Sequence, residues 1–189
     1  MALLTVKQRS EYFKILGLGE YNKSNILKLQ KKYFVRAKDQ DSIYGRDTDA
    51  LLRHLYNCWN LRNFSPLEFK CECGGRYCTG YPTWMKANTL QMIQRIRTFY
   101  GKPVNVTSAL RCTKQNSLDG GVANSKHKQG KAIDFYIAGE TITLNNRKKL
   151  INTIKEWDNF DYAYCWGYNS NGDNIYAPNM GTSIHIQTK

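Results

Sequence analysis

The sequence predicts an α+β protein: a small three-helix module over residues 1–60, then a domain over residues 61–189 whose helices flank a small, mostly antiparallel sheet. Three observations carry this. Apolar residues recur at helical spacing through the first sixty positions and again in "TLQMIQRIRTFY" and "LNNRKKLINTIKEW". Short segments rich in β-branched and aromatic residues, "PVNVTSAL", "KAIDFYI", "YAYCWGY" and "TSIHIQT", read as strands. Helices and strands mix without a regular βαβ repeat, which disfavours a doubly wound parallel sheet.

Taken in order, "RSEYFKIL" ends at Gly17 and Gly19, which supply the left-handed residues that close a helix. In "NKSNILKLQKKYF" Ser24 is the expected N-cap, and Ile26, Leu27, Leu29, Gln30 and Tyr33 give an amphipathic pattern. A turn at Tyr44-Gly45 precedes a third helix, with Asp47 or Thr48 near its start and Leu51, Leu52, Leu55 and Trp59 on its buried side. Pro66 and Gly74-Gly75 then break the periodicity. The next helix carries Leu90, Ile93, Ile96 and Tyr100 and stops at Gly101, and a later one carries Leu144, Leu150, Ile151, Ile154 and Trp157.

The chain of 189 residues has 28 Lys+Arg against 15 Asp+Glu, a formal net charge of +13. Residues 1–60 hold 11 basic and 6 acidic residues, and residues 61–189 hold 17 and 9, so both parts are basic. Such a surface is drawn to a polyanion: nucleic acid, anionic lipid or the anionic polymers of a bacterial wall. A nucleic-acid-binding reading has no recognition motif behind it. No apolar run is long enough to span a bilayer, so no membrane insertion is expected. The start of the chain lacks the features of a secretory signal, so synthesis in a cytoplasm is expected. Of six cysteines, Cys71, Cys73 and Cys78 fall in "CECGGRYC". That cluster is compatible with a second zinc site or a disulfide, but it lacks the paired C-x-x-C of structural zinc sites. Reduced thiols are the default for a chain made in a cytoplasm.

The chemistry concentrates around "KAIDFYI". A carboxylate in a buried strand is costly unless it is paired or binds a cation. Strand alternation puts Ile133, Phe135 and Ile137 on the core side and Asp134 opposite; it puts Ile184 and Ile186 on the core side and His185 opposite. His127 lies upstream in a loop between Gly120-Gly121 and Gly130, free to fold over the same polar face. One histidine in an apolar strand is ordinarily a satisfied core residue. Two histidines and a carboxylate with a fourth position open to water form a catalytic zinc set. The third histidine, His54, is placed as a surface or packing residue of the helical module.

These residues carry a resemblance. Arg111, then Ser125, His127, Gly130, Ala132 and Asp134 in Ser-x-His-x-x-Gly-x-Ala-x-Asp spacing, then "SIHIQ", resemble the zinc D-alanyl-D-alanine peptidases, bacteriophage endolysins among them, over about residues 64–189. The resemblance implies one zinc ion held by His127, Asp134 and His185, substrate contacts from Arg111 and Ser125, and hydrolysis by a metal-activated water. The stretch "LQKKYF", Asp41, "IYG" and "TDALL" is similar to the peptidoglycan-binding helical module of cell-wall hydrolases, over about residues 5–58; the alternative is a helical cap that binds nothing. Together they imply a monomeric endolysin-like enzyme that binds peptidoglycan and acts at the wall after release. Relatives carry an acid three before or two after the last zinc histidine, where this chain has Thr182 and Gln187. Neither can act as general base, which leaves Asp173, in the loop "NSNGDN", as the candidate. The alternative is a zinc-containing wall-peptide-binding protein that does not hydrolyse its ligand.

Overall fold

A computed structural model describes residues 2–189. Its elements run α1 (Val6–Ile15), α2 (Lys23–Tyr33), α3 (Arg46–Cys58), α4 (Ala87–Tyr100), β1 (Val104–Ser108), α5 (Thr113–Leu118), β2 (Ala132–Ile137), α6 (Leu144–Ile154), β3 (Phe160–Cys165), β4 (Tyr168–Asn169) and β5 (Ile184–Thr188). The strands form one sheet in the order β1-β2-β5-β3-β4, with every neighbouring pair antiparallel. The α+β expectation therefore holds, and every described strand pairing is antiparallel.

Local chemistry explains the element boundaries. Thr5 and Gln8 form a reciprocal capping box at the start of α1, satisfying two amides that have no intrahelical partner. At α2 the cap is Asn22, which accepts from the amide of Asn25, so Ser24 sits inside the first turn rather than ahead of it. Asn is as good an N-cap as Ser, and its position fixes the start two residues earlier. Gly101 takes the left-handed conformation and ends α4 as expected. Trp59 departs from expectation: α3 ends at Cys58, and Trp59, just beyond the helical repeat, is 56% exposed.

A single apolar core runs from Leu4, Phe13 and Leu51 through Leu90 and Ile93 to Ile133, Phe135, Ile184 and Ile186. Buried polar contacts also cross the boundary near residue 60. His54 Nε2 lies 2.9 Å from the Pro66 carbonyl, and Asn57 Nδ2 donates to the Met85 carbonyl at 2.9 Å. His54 is fully buried, a packing residue that joins α3 to the segment after it. Because a carbonyl only accepts, Nε2 carries the ring hydrogen.

Burial lowers the His54 pKa to about 4, against a smaller raising effect from Pro66. The unfolded chain therefore binds a proton near pH 6.5 that the folded chain refuses until about pH 4. The stabilising contribution of neutral His54 is present above that window and is lost as pH falls through it. Denaturant titrations at stepped pH should show His54→Leu with a shallower loss of stability over this window, the difference reaching about 3 kcal/mol.

Candidate metal centre

The sheet places the pair. Asp134 of β2 lies directly opposite His185 of β5, with Ile133 opposite Ile186 and Phe135 opposite Ile184 on the core-facing side. A one-residue slip would put the carboxylate and the imidazole into the apolar core, so the isoleucines and phenylalanine hold this register. His127 comes from a 3-10 turn, Lys126–Gln129, that Gly130 closes in the left-handed region at φ +69°. A Cβ at Gly130 would stand 2.0 Å from the Trp84 carbonyl oxygen. Only glycine lets the turn lie down here, and the Gly130 carbonyl then accepts from the Lys86 amide and the Thr89 hydroxyl.

His127 Nδ1 lies 2.6 Å from the Ala109 carbonyl, to which it must donate, so Nε2 bears the lone pair. That Nε2 is 3.2 Å from His185 Nδ1 and 3.3 Å from Asp134 Oδ1; His185 Nδ1 is 2.6 Å from the same oxygen. Ligands about 2.0–2.1 Å from a tetrahedral zinc stand roughly 3.3 Å apart, so two of the three separations already match a shared ion. The short third one is the hydrogen bond that His185 Nδ1–H gives Asp134, and metal binding requires that proton to leave. Gln187 lies with its amide 3.0 Å from His185 Nε2, and the Tyr164 ring stacks on His185 at 4.6 Å. Both hold the ring in place. All three donor residues are buried.

Burial alone would raise the Asp134 carboxyl, but the neighbouring imidazoles outweigh it, His185 Nδ1 donating to Oδ1, and hold the group far below the usual carboxylate range. His185 is lowered by burial, opposed by Asp134. The favoured species are an ionised Asp134 carboxylate and a neutral His185 imidazole, and a metal ion would still have to displace the Nδ1 proton of His185.

The remaining expected residues divide. Arg111 and Ser125 line a cleft of about 430 Å³ together with His127, Tyr164, His185 and Gln187. Arg111 is already engaged: Nη2 donates to Asp134 Oδ2 at 2.6 Å, Nε donates to Ser108 Oγ at 2.8 Å, and Asp119 stands 3.4 Å away. It therefore orients the free oxygen of Asp134, and Nη1 makes no hydrogen bond among the described residues. Asp173 lies in the loop after β4, where its carboxylate accepts from Asn169 Nδ2 at 3.0 Å. Sequence reasoning missed Tyr164, although alternation in "YAYC" pairs it with His185 across β3 and β5. It also missed Glu72. Glu72 is an exposed residue whose carboxyl is raised chiefly by partial burial, with Arg111 opposing and Asp119 and Asp134 reinforcing.

Two imidazoles and one carboxylate, buried at an open cleft, are a donor set that could hold one zinc ion. A family model described as Peptidase M15 matches residues 62–169, more than half of the chain. The protein belongs to the Peptidase M15 family of zinc-dependent metallopeptidases. The matched stretch contains His127 and Asp134 and stops short of His185, which the sheet register supplies. No curated protein matches the chain.

Gly130→Ala should destabilise the protein by about 3 kcal/mol, because the strained φ and the clash with the Trp84 carbonyl fall in one residue. Guanidinium unfolding of the metal-free protein checks this, and an unchanged midpoint would show that the turn carrying His127 yields easily.

Proposed function

We propose that the protein hydrolyses amide bonds of peptidoglycan stem peptides or cross-bridges, with zinc held by His127 Nε2, Asp134 Oδ1 and His185 Nδ1. The observation that carries this reading is the meeting of those three atoms at the base of the cleft, within 4.8 Å of one another. When bound, zinc polarises a scissile carbonyl and lowers the pKa of a coordinated water. The chain's own groups do the rest. Arg111 Nη1 donates to a carboxylate or carbonyl oxygen of the peptide, a charge-assisted contact. Ser125 offers a cleft-facing hydroxyl that makes no hydrogen bond among the described residues. Tyr164, its hydroxyl raised by burial and by Asp134, stays protonated as a donor.

Glu72 is proposed as the proton acceptor in place of Asp173. It is offered because its carboxyl is raised, chiefly by burial, and because the residue is joined to Cys71 and Cys73 in the loop ahead of the cleft. The basic surface, +13 overall, suits an anionic wall, and the helical layer of residues 1–60 is proposed to hold that wall. These properties suit an endolysin-like monomer that acts on the wall after release from a host cytoplasm. No helix among the described residues is long and apolar enough to cross a membrane.

One observation favours a second reading. Gln187 and Thr182 stand where an acid would flank His185, so the same centre could capture wall peptide without cutting it. Digestion of purified sacculi, read by mass spectrometry, separates the two: new free amino groups mark hydrolysis, and retention without them marks a binder. Wild type should release them, and His127→Ala should lose both the bound zinc of this centre and cleavage. Glu72→Gln should keep the zinc and lose cleavage by about 10²–10⁴-fold. If Asp173→Asn produces that loss instead, the base assignment is overturned.

A further inference from the structure

A second group of metal-binding side chains lies apart from the cleft's histidines. The Sγ atoms of Cys71, Cys73, Cys78 and Cys112 all lie within 4.8 Å of one another, and all four residues are buried. Three come from one irregular loop and the fourth from the residue ahead of α5, so linear spacing hides the set. We propose that these four thiolates bind one structural zinc ion, distinct from the ion of the peptidase centre.

Cysteine also behaves as a small hydrophobe and collects in apolar cores, so the surroundings matter. This cluster is separate from the main core and contains the four cysteines alone, with no aliphatic or aromatic member. Four sulfurs that meet one another apart from the aliphatic core gain less from burial than they would within it. Ligands about 2.3 Å from a tetrahedral zinc have sulfur–sulfur edges of roughly 3.8 Å. Cys73 and Cys78 Sγ stand 3.5 Å apart, and all six pairs fall below 4.8 Å. The cluster therefore needs only small shifts to close on an ion.

The backbone is arranged for thiolates rather than thiols. The amide of Cys112 donates to Cys71 Sγ at 3.3 Å, Gly80 donates to Cys78 Sγ at 3.4 Å, and Gln115 donates to Cys112 Sγ at 3.4 Å. Hydrogen bonds given to sulfur favour its charged form. Gly74 and Gly75 take the left-handed conformation at φ +60° and +82°, which turns the chain after Cys73 so that Cys78 returns to the same centre. Four thiolates around a dication leave two negative charges. Cations stand beside them: Arg111 precedes Cys112, Arg76 Nε donates to the Cys73 carbonyl, and Arg36 lies against Gly75 in the same loop. An all-sulfur set selects a soft divalent ion over calcium or magnesium.

The consequence reaches the cleft. Glu72 lies between two of the cysteines and Arg111 adjoins a third, so one ion pins the loop that presents Glu72 and the segment that presents Arg111. The region from Cys71 to Gly80 has no helix or strand of its own, and the cluster supplies the crosslink that regular structure supplies elsewhere.

The full-length protein, purified under reducing conditions, should carry two equivalents of zinc by elemental analysis. The double variant His127→Ala/His185→Ala should keep one, held by sulfur. Cys73→Ser/Cys78→Ser should also keep one, now at the histidine centre. Should the cysteine variant fail to fold, cobalt reconstitution of the wild type decides: an intense thiolate-to-cobalt charge-transfer band supports the proposal, because two imidazoles and a carboxylate cannot produce it. Absence of that band overturns the proposal. So does a native mass showing the four cysteines oxidised in pairs, or a His127→Ala/His185→Ala variant without metal. None of these results depends on catalysis, so the peptidase reading stands or falls separately.

Discussion

The pairing of Asp134 with His185 across β2 and β5 is the constraint on which the rest of the structure depends. A carboxylate buried to this depth costs several kcal/mol unless its lone pairs are filled. Here Oδ1 meets both imidazoles and Oδ2 meets Arg111. Each partner is then held by something further out: His127 by the Ala109 carbonyl, His185 by Tyr164 and Gln187, Arg111 by Ser108 and Asp119. At His127 the outer contact puts the proton on Nδ1 and turns the lone pair of Nε2 inward, whereas at His185 the Nδ1 proton held by Asp134 must leave before that nitrogen can bind a metal. The sheet register thus becomes a set of ligand atoms aimed at one point.

The cleft inherits its polarity from this arrangement. Arg111 brings a fixed positive charge to the ionised Asp134, and the same residue lines the open cleft. One residue can therefore tie ligand geometry to substrate placement. The four-cysteine cluster extends the logic to the irregular loop, which carries Glu72 but has no sheet or helix to hold it.

Much of the site was legible because strand alternation is a two-residue rule. "KAIDFYI" and "SIHIQT" each separate an apolar face from a polar one, and both polar faces carry a metal-type ligand. His127 was legible from its spacing to Asp134 within the Ser-x-His-x-x-Gly-x-Ala-x-Asp pattern. Contacts between distant segments were not. Cys112 joins the cysteine loop only through the fold, and Glu72 is an ordinary exposed acid in the sequence until Arg111 and Asp134 are brought near it. Asp173 suggested itself by proximity in sequence to His185, and what the sequence did not show is that its carboxylate accepts from Asn169 across the β4 turn. At α2, Asn22 and Ser24 were both competent caps, and the backbone chose the earlier one. Trp59 failed for a simpler reason: helical periodicity was extended one residue past the helix.

The most direct measurement is an anomalous difference map from crystals of the zinc-loaded protein, collected on both sides of the zinc absorption edge. The account requires a peak bonded at about 2.0–2.1 Å to His127 Nε2, Asp134 Oδ1 and His185 Nδ1. A zinc-loaded crystal with no peak among those three atoms, their mutual hydrogen bonds intact, would contradict it.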